Sequence, residues 1–154
     1  NIIAATGKSV EEITVEHWKK YGRSYYMRFD FEGLDTAVAD KLMADLEAKL
    51  PTLNGKVYNG YTVSEAAPFV YNDPVDHSST QNGLIVKFAD GSRIVYRLSG
   101  TGSSGATLRV YLEKYEQNKL DEDPQKMLQP ILEIAMDIAE ITSRTGKQHA
   151  DVIT

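Results

Sequence analysis

The chain has 154 residues, 42% apolar and 25% charged, which is the composition of one soluble globular unit with a sizeable core. Its net charge of −5 argues against non-specific binding to nucleic acid, where a basic surface is expected. With no cysteine, disulfides and thiolate metal sites are excluded. No apolar run approaches the roughly 20 residues needed to span a bilayer.

The opening "NIIAATG" does not begin with Met, has no basic start and no sustained apolar stretch, so it does not read as a signal peptide. It looks like the last turns of an apolar helix closed by Gly7, and predicts a piece of a longer protein. Ser9-Val-Glu-Glu12 is a capping box that opens a helix ending around Gly22, with Val10, Ile13 and Trp18 on or near one face. "SYYMRFDF", residues 24–31, has the composition of an edge strand or an extended connector. Asp35 caps a second helix whose apolar positions are Val38, Leu42, Leu46 and Leu50, and Pro51 ends it.

From Lys56 to Leu98 the signal is strand. "KVYNGYTVSEA" and "APFVYND" read as two short strands, and "DPVDHSSTQNG" as a polar loop. Asp90-Gly91 between "LIVKF" and "SRIVYRL" is a strong hairpin signal. After the Gly/Ser stretch, Leu108, Tyr111, Leu112 and Tyr115 stand at i, i+3, i+4, i+7 and predict a helix. Asp123-Pro124 starts a last helix with Met127, Ile131, Ile134, Ile138 and Ile141 as its stripe, and Pro130 should kink or divide it. A hairpin with helices grouped around it predicts an α+β fold: an antiparallel sheet with helices packed on one side.

Between Arg97 and Tyr111 the chain reads "RLSGTGSSGATLRVY". Gly100, Gly102 and Gly105 satisfy the dinucleotide pattern G-x-G-x-x-G, yet no parallel strand follows to carry the acidic residue that such a site needs. A P-loop fails as well, because Ala106-Thr107 stands where Lys-Ser/Thr is required. A plain Gly/Ser linker would not need arginines at its edges. Here Arg97 precedes the glycines and Arg109 follows them, and Ser99, Thr101, Ser103 and Ser104 add hydroxyl donors. Arg109 is expected in the first turn of the following helix, an unfavourable place for a cation that an anion would relieve. Two guanidinium forks with inward backbone N–H groups suit a dianionic phosphate monoester.

"RLSGTGSSGATLRVYLEKYE" resembles the phosphate-binding loop of the phosphoglucomutases, in the α-D-phosphohexomutase superfamily. The likeness extends to "HWKKYGRSYYMRFDFE", to "YNDPVDHSSTQNGLIVKFADGSRIVYRLSGTG" and to the closing "RTGKQHADVIT". The resemblance implies a helical remnant of a third domain (1–23), a hinge or connector (24–33) and the fourth domain (34–154), with a TATA-binding-protein-like fold. It implies phosphate contacts from Arg97, Ser99, Gly100, Thr101 and Arg109, with Gly102, Ser103, Ser104 and Gly105 shaping the loop.

The family's phosphoserine, Mg²⁺ and sugar loops belong to the three preceding domains, and no Ser-His-Asn-Pro, Asp-Gly-Asp-Gly-Asp or Gly-Glu-Glu-Ser segment stands in this chain. The resemblance therefore implies no catalytic residue and no metal ligand here, with Mg²⁺ and glucose 1,6-bisphosphate belonging to the full-length enzyme. Its expected partners are glucose 1-phosphate, glucose 6-phosphate, the bisphosphate and the missing domains, with no nucleic acid and no membrane; the expected compartment is the cytoplasm. The expected role is to hold the non-reacting phosphate while the two glucose phosphates are interconverted, the fragment alone being catalytically incomplete. The alternative is a non-catalytic scaffold of the parafusin or aciculin kind that acts through protein partners. "DHSS" at 76–79 is a polar loop rather than a triad, since adjacent residues point apart. Trp18, His17 and His149 are expected to be structural.

Overall fold

The computed structural model describes residues 1–102 and 105–154. The elements run α1 (Ile2–Thr6), α2 (Val10–Tyr21), β1 (Arg23–Leu34), α3 (Thr36–Lys49), β2 (Val57–Tyr58), β3 (Tyr61–Asn72), β4 (Ser79–Phe88), β5 (Arg93–Gly102), β6 (Gly105–Glu116), α4 (Pro124–Ile138), α5 (Ile141–Thr145) and β7 (Val152–Ile153), with a 3₁₀ turn at Leu50–Thr52.

The strands form a seven-stranded sheet in the order β2-β3-β4-β5-β6-β1-β7, with every pairing antiparallel. Strands β2 to β6 follow one another as hairpins; β1 then returns to the far side of β6, and the chain end adds β7 beyond it. The stretch read as an edge strand or connector is thus β1, paired with β6 from Arg23↔Glu116 to Phe31↔Leu108 and with β7 at Phe29 and Asp30.

Alternation fixes which face is covered. Ile94 and Tyr96 of β5, with Ala106, Leu108, Val110 and Leu112 of β6, are fully buried in one core with Leu42 and Leu46 of α3 and Leu128, Ile131, Ile134 and Ile138 of α4. The helices cover that face. The opposite face carries Arg93, Val95, Arg97 and Ser99 of β5, then Thr107, Arg109, Tyr111 and Glu113 of β6, and no helix of the described residues covers it.

Four sequence expectations are corrected. The helix after the Gly/Ser stretch is strand β6: its helical spacing coexists with a period of two through Ala106, Leu108, Val110 and Leu112, and pairing with strands on both sides selects the latter. Residues 61–72 form one long strand rather than two short ones. Helix α4 runs unbroken through Pro130, because the carbonyl left without its helical donor is that of exposed Lys126. Ile141 belongs to α5, separated from α4 at Glu140 in the left-handed region at φ 52°.

The N-terminal readings stand. Ser9 and Glu12 form the reciprocal capping box of α2, and Asp35 and Asp123 cap α3 and α4. Helix α2 has no fully buried residue; it is tied to the sheet where the Arg23 guanidinium lies between the Trp18 and Tyr25 rings, 4.1 and 4.2 Å from their centroids.

Inside the core, the fully buried Tyr96 hydroxyl donates to the Ala135 carbonyl of α4 at 2.9 Å. Burial pushes its pKa well above the ordinary tyrosine value, so it stays a donor across the working range. Tyr96→Phe is expected to cost about 0.5–1.5 kcal/mol, the net worth of one buried hydrogen bond, because the Ala135 carbonyl keeps only its longer 3.3 Å bond from the Ala139 amide, and urea unfolding followed by circular dichroism checks it.

Candidate phosphate site

The candidate site lies toward the hairpin end of β5 and β6. Arg97 and Arg109 are direct cross-strand partners, and Ser99 stands opposite Thr107, so all four side chains share the helix-free face. The sequence placed the two arginines on a strand and a helix; the structure places them side by side on neighbouring strands. The cation at a helix N-terminus is thereby removed, and a different electrostatic conflict replaces it. Like charges directly opposite one another on an antiparallel pair are destabilising. An anion in front of both guanidinium groups converts that repulsion into two attractions.

Two of the loop glycines hold positions that favour glycine. Gly100 and Gly105 have φ of 80° and 88°, in the region where only glycine is unstrained. A Cβ on Gly105 would also stand 2.9 Å from the Leu34 carbonyl oxygen. Ser103 and Ser104 lie outside the described residues, and Thr101 and Gly102 are described only as the end of β5.

Sequence reasoning missed three participants. Thr107 presents a hydroxyl directly across from Ser99; counting the hairpin register back from Arg97 would have found it. Gly83 of β4, at φ 126°, lies under the Arg97 stem, and a Cβ there would come within 2.8 Å of Arg97 Cγ and closer still to the Tyr96 carbonyl oxygen. Asp30 of β1 is the third. It is the cross-strand partner of Arg109 and only 3% exposed, although it lies on the face that no helix covers. Across the sheet the row therefore reads Arg97, Arg109, Asp30, one residue from each of β5, β6 and β1.

Asp30 has a second cation: Arg28 Nε stands 3.0 Å from Asp30 Oδ1, while Arg109 Nε stands 3.7 Å from Oδ2. Two backbone pairings with the chain end pin this segment, Arg28 with Thr154 in both directions and the Asp30 carbonyl with the Asp151 amide.

Beside the arginines the same face opens into a shallow hollow lined by Tyr26, Phe69, Ile85, Val95 and Tyr111, with Arg93 and Glu113 ion-paired at its rim. Partial burial, with neighbouring Tyr111 adding to it, pushes the Tyr26 phenol above its ordinary value. Among the described residues no group of three or more His, Cys, Asp or Glu side chains is arranged to hold a metal ion. His17 stacks on Tyr21 at 4.8 Å, a structural contact. No helix of the described residues is long and apolar enough to cross a membrane.

The family model for the phosphoglucomutase-1 C-terminal domain matches residues 23–151. Human phosphoglucomutase-1 is 45% identical over the whole chain, and phosphoglucomutase from Rhizobium radiobacter is also 45% identical over the whole chain. The chain spans 29% of the length of each. Among solved structures, the open form of the exocytosis-sensitive phosphoprotein pp63/parafusin (phosphoglucomutase) from Paramecium superposes with a TM-score of 0.82 at 39% identity, covering 95% of this chain and 25% of that one.

Proposed function

Since the chain belongs to the family of phosphoglucomutase-1 C-terminal domains, we propose that it is the phosphate clamp of a phosphoglucomutase, a cytoplasmic isomerase that interconverts glucose 1-phosphate and glucose 6-phosphate. One observation carries the reading: Arg97 and Arg109 stand directly opposite each other on an uncovered sheet face, beside Ser99, Thr107 and two glycines at positive φ. Two guanidinium forks beside hydroxyl donors suit a phosphate monoester.

A bisphosphate intermediate that turns around in the cleft presents either phosphate in turn as the idle one. A clamp that reads only phosphate serves both orientations, and its binding energy positions the other end for reaction. Arg97, Ser99, Gly100, Thr101 and Arg109 would make the contacts, with Gly102, Ser103, Ser104 and Gly105 shaping the loop. The nucleophile, the Mg²⁺ site and sugar recognition are assigned to the rest of the full-length enzyme, so this chain alone is expected to turn over no substrate. The reading keeps a helical remnant (1–23), a connector (24–33) and the clamp domain proper (34–154). Because the connector is strand β1, closure against the preceding domain would carry the whole sheet with it.

Titrating the isolated chain with glucose 6-phosphate and following ¹H–¹⁵N spectra tests the proposal. Shifts concentrated in residues 97–109, with a Kd in the range of about 0.1–10 mM, are expected for one phosphate held without its partner domains. No shift at about 10 mM sinks the assignment.

A further inference from the structure

Three candidates lie in or around the clamp. The hollow around Tyr26, Phe69 and Tyr111 has Arg97 in its lining and belongs to the site already described. The acidic group of Asp121, Glu122 and Asp123 beside Trp18 contributes none of the unpaired buried side-chain atoms found among the described residues. Asp30 is different, because a buried carboxylate on an uncovered sheet face demands a reason.

We propose that Asp30 is a positioning residue of the phosphate site: it fixes the Arg109 guanidinium by its Nε edge, so that the rest of the fork is presented to the substrate's phosphate beside Arg97. This rests on the clamp reading above. The geometry supports it in three ways. Asp30 and Arg109 are direct cross-strand partners, as Arg109 and Arg97 are, so all three lie in one row. Arg109 Nε is buried against Asp30 while the side chain as a whole is 39% exposed, so its exposure lies away from the anchored edge. And Arg28 Nε, Asp30 Oδ1 and Arg109 Nε are buried with no aligned hydrogen bond among the described residues, although Arg28 Nε stands within ion-pair distance of Oδ1 and Arg109 Nε within that of Oδ2. A network packed this way but not locked is one that an arriving anion can draw into alignment, since hydrogen bonds in ligand sites tighten when the ligand binds.

The sign of one substitution separates positioning from bulk charge. Asp30→Asn removes a negative charge close to the site, and charge alone then predicts tighter anion binding. Positioning predicts weaker binding, because Arg109 loses its anchor. The expected result is a Kd for glucose 6-phosphate about tenfold higher in Asp30→Asn than in the parent chain. In an Arg109→Ala background the same substitution should change Kd by less than about twofold, because the residue it acts through is gone.

A readout independent of ligand is the Arg109 Nε–Hε resonance, which, being buried against Asp30, should exchange with water more slowly in the parent chain than in Asp30→Asn. If Asp30→Asn does not fold, Arg28→Lys loosens the same carboxylate with all charges kept, and should raise Kd about threefold with the same dependence on Arg109. Unchanged or tighter binding in a folded Asp30→Asn overturns the proposal. So does an equal loss in both backgrounds, or an Nε–Hε exchange rate that the substitution leaves alone. If the parent chain binds no phosphate, the clamp reading fails, and the Nε–Hε comparison alone decides whether Asp30 holds Arg109.

Discussion

Arg97→Ala is expected to weaken glucose 6-phosphate binding by about one to two orders of magnitude while leaving the fold as stable as before or slightly more so. The two effects separate because of where Arg97 stands. Its guanidinium supplies one charge-assisted fork to a phosphate, worth about 1.5–3 kcal/mol when lost. In the free chain the same group faces Arg109 directly across the pair, and removing one of two opposed like charges relieves about 0.2–1 kcal/mol. For a chain of this size that is a rise of up to about 4 °C in Tm. Isothermal titration and a thermal melt on the same sample check both halves. Binding unchanged within a factor of two would remove Arg97 from the site.

Gly83→Ala should do the reverse in stability and the same in binding. At φ 126° an alanine is strained, and its Cβ meets the Tyr96 carbonyl, which cannot move without disturbing the β4–β5 pairing. A cost of about 2–4 kcal/mol follows from strain and backbone displacement together, a fall in Tm of roughly 5–15 °C. Because the Cβ also displaces Arg97 Cγ, the surviving folded protein should bind phosphate at least about fivefold more weakly. A crystal structure of the variant with Arg97 undisturbed would contradict this.

The sequence disclosed the two arginines and the glycine loop but not the geometry that joins them. Leu108, Tyr111, Leu112 and Tyr115 match a helix as well as a strand, and only the neighbours on either side of β6 decide between the two. The reading that joins Arg97 and Arg109 as an anion site argues from a helix dipole that does not exist in the fold; what sets them side by side is cross-strand register. The capping residues Ser9, Asp35 and Asp123 were legible because capping is local. Asp30 was not. A lone carboxylate in "RFDF" reads as the solvent side of a strand, and its burial depends on Arg109, which is distant in the chain. Gly83 was hidden for the same reason, since what it makes room for lies on another strand.

The position of β1 in the sheet also has a consequence for how the chain is made. Its pairing partner β6 is synthesised about 80 residues later, and β7, on its other side, later still. At about 5–20 residues per second, "SYYMRFDF" emerges some seconds before anything can cover its edges. Only strands β2 to β5 can close by successive hairpins in that interval, so β1 waits for β6 to join that meander before it can dock. A nascent chain stalled before residue 105 would expose an aromatic strand with neither neighbour, which is the point in its synthesis where this domain most needs a chaperone.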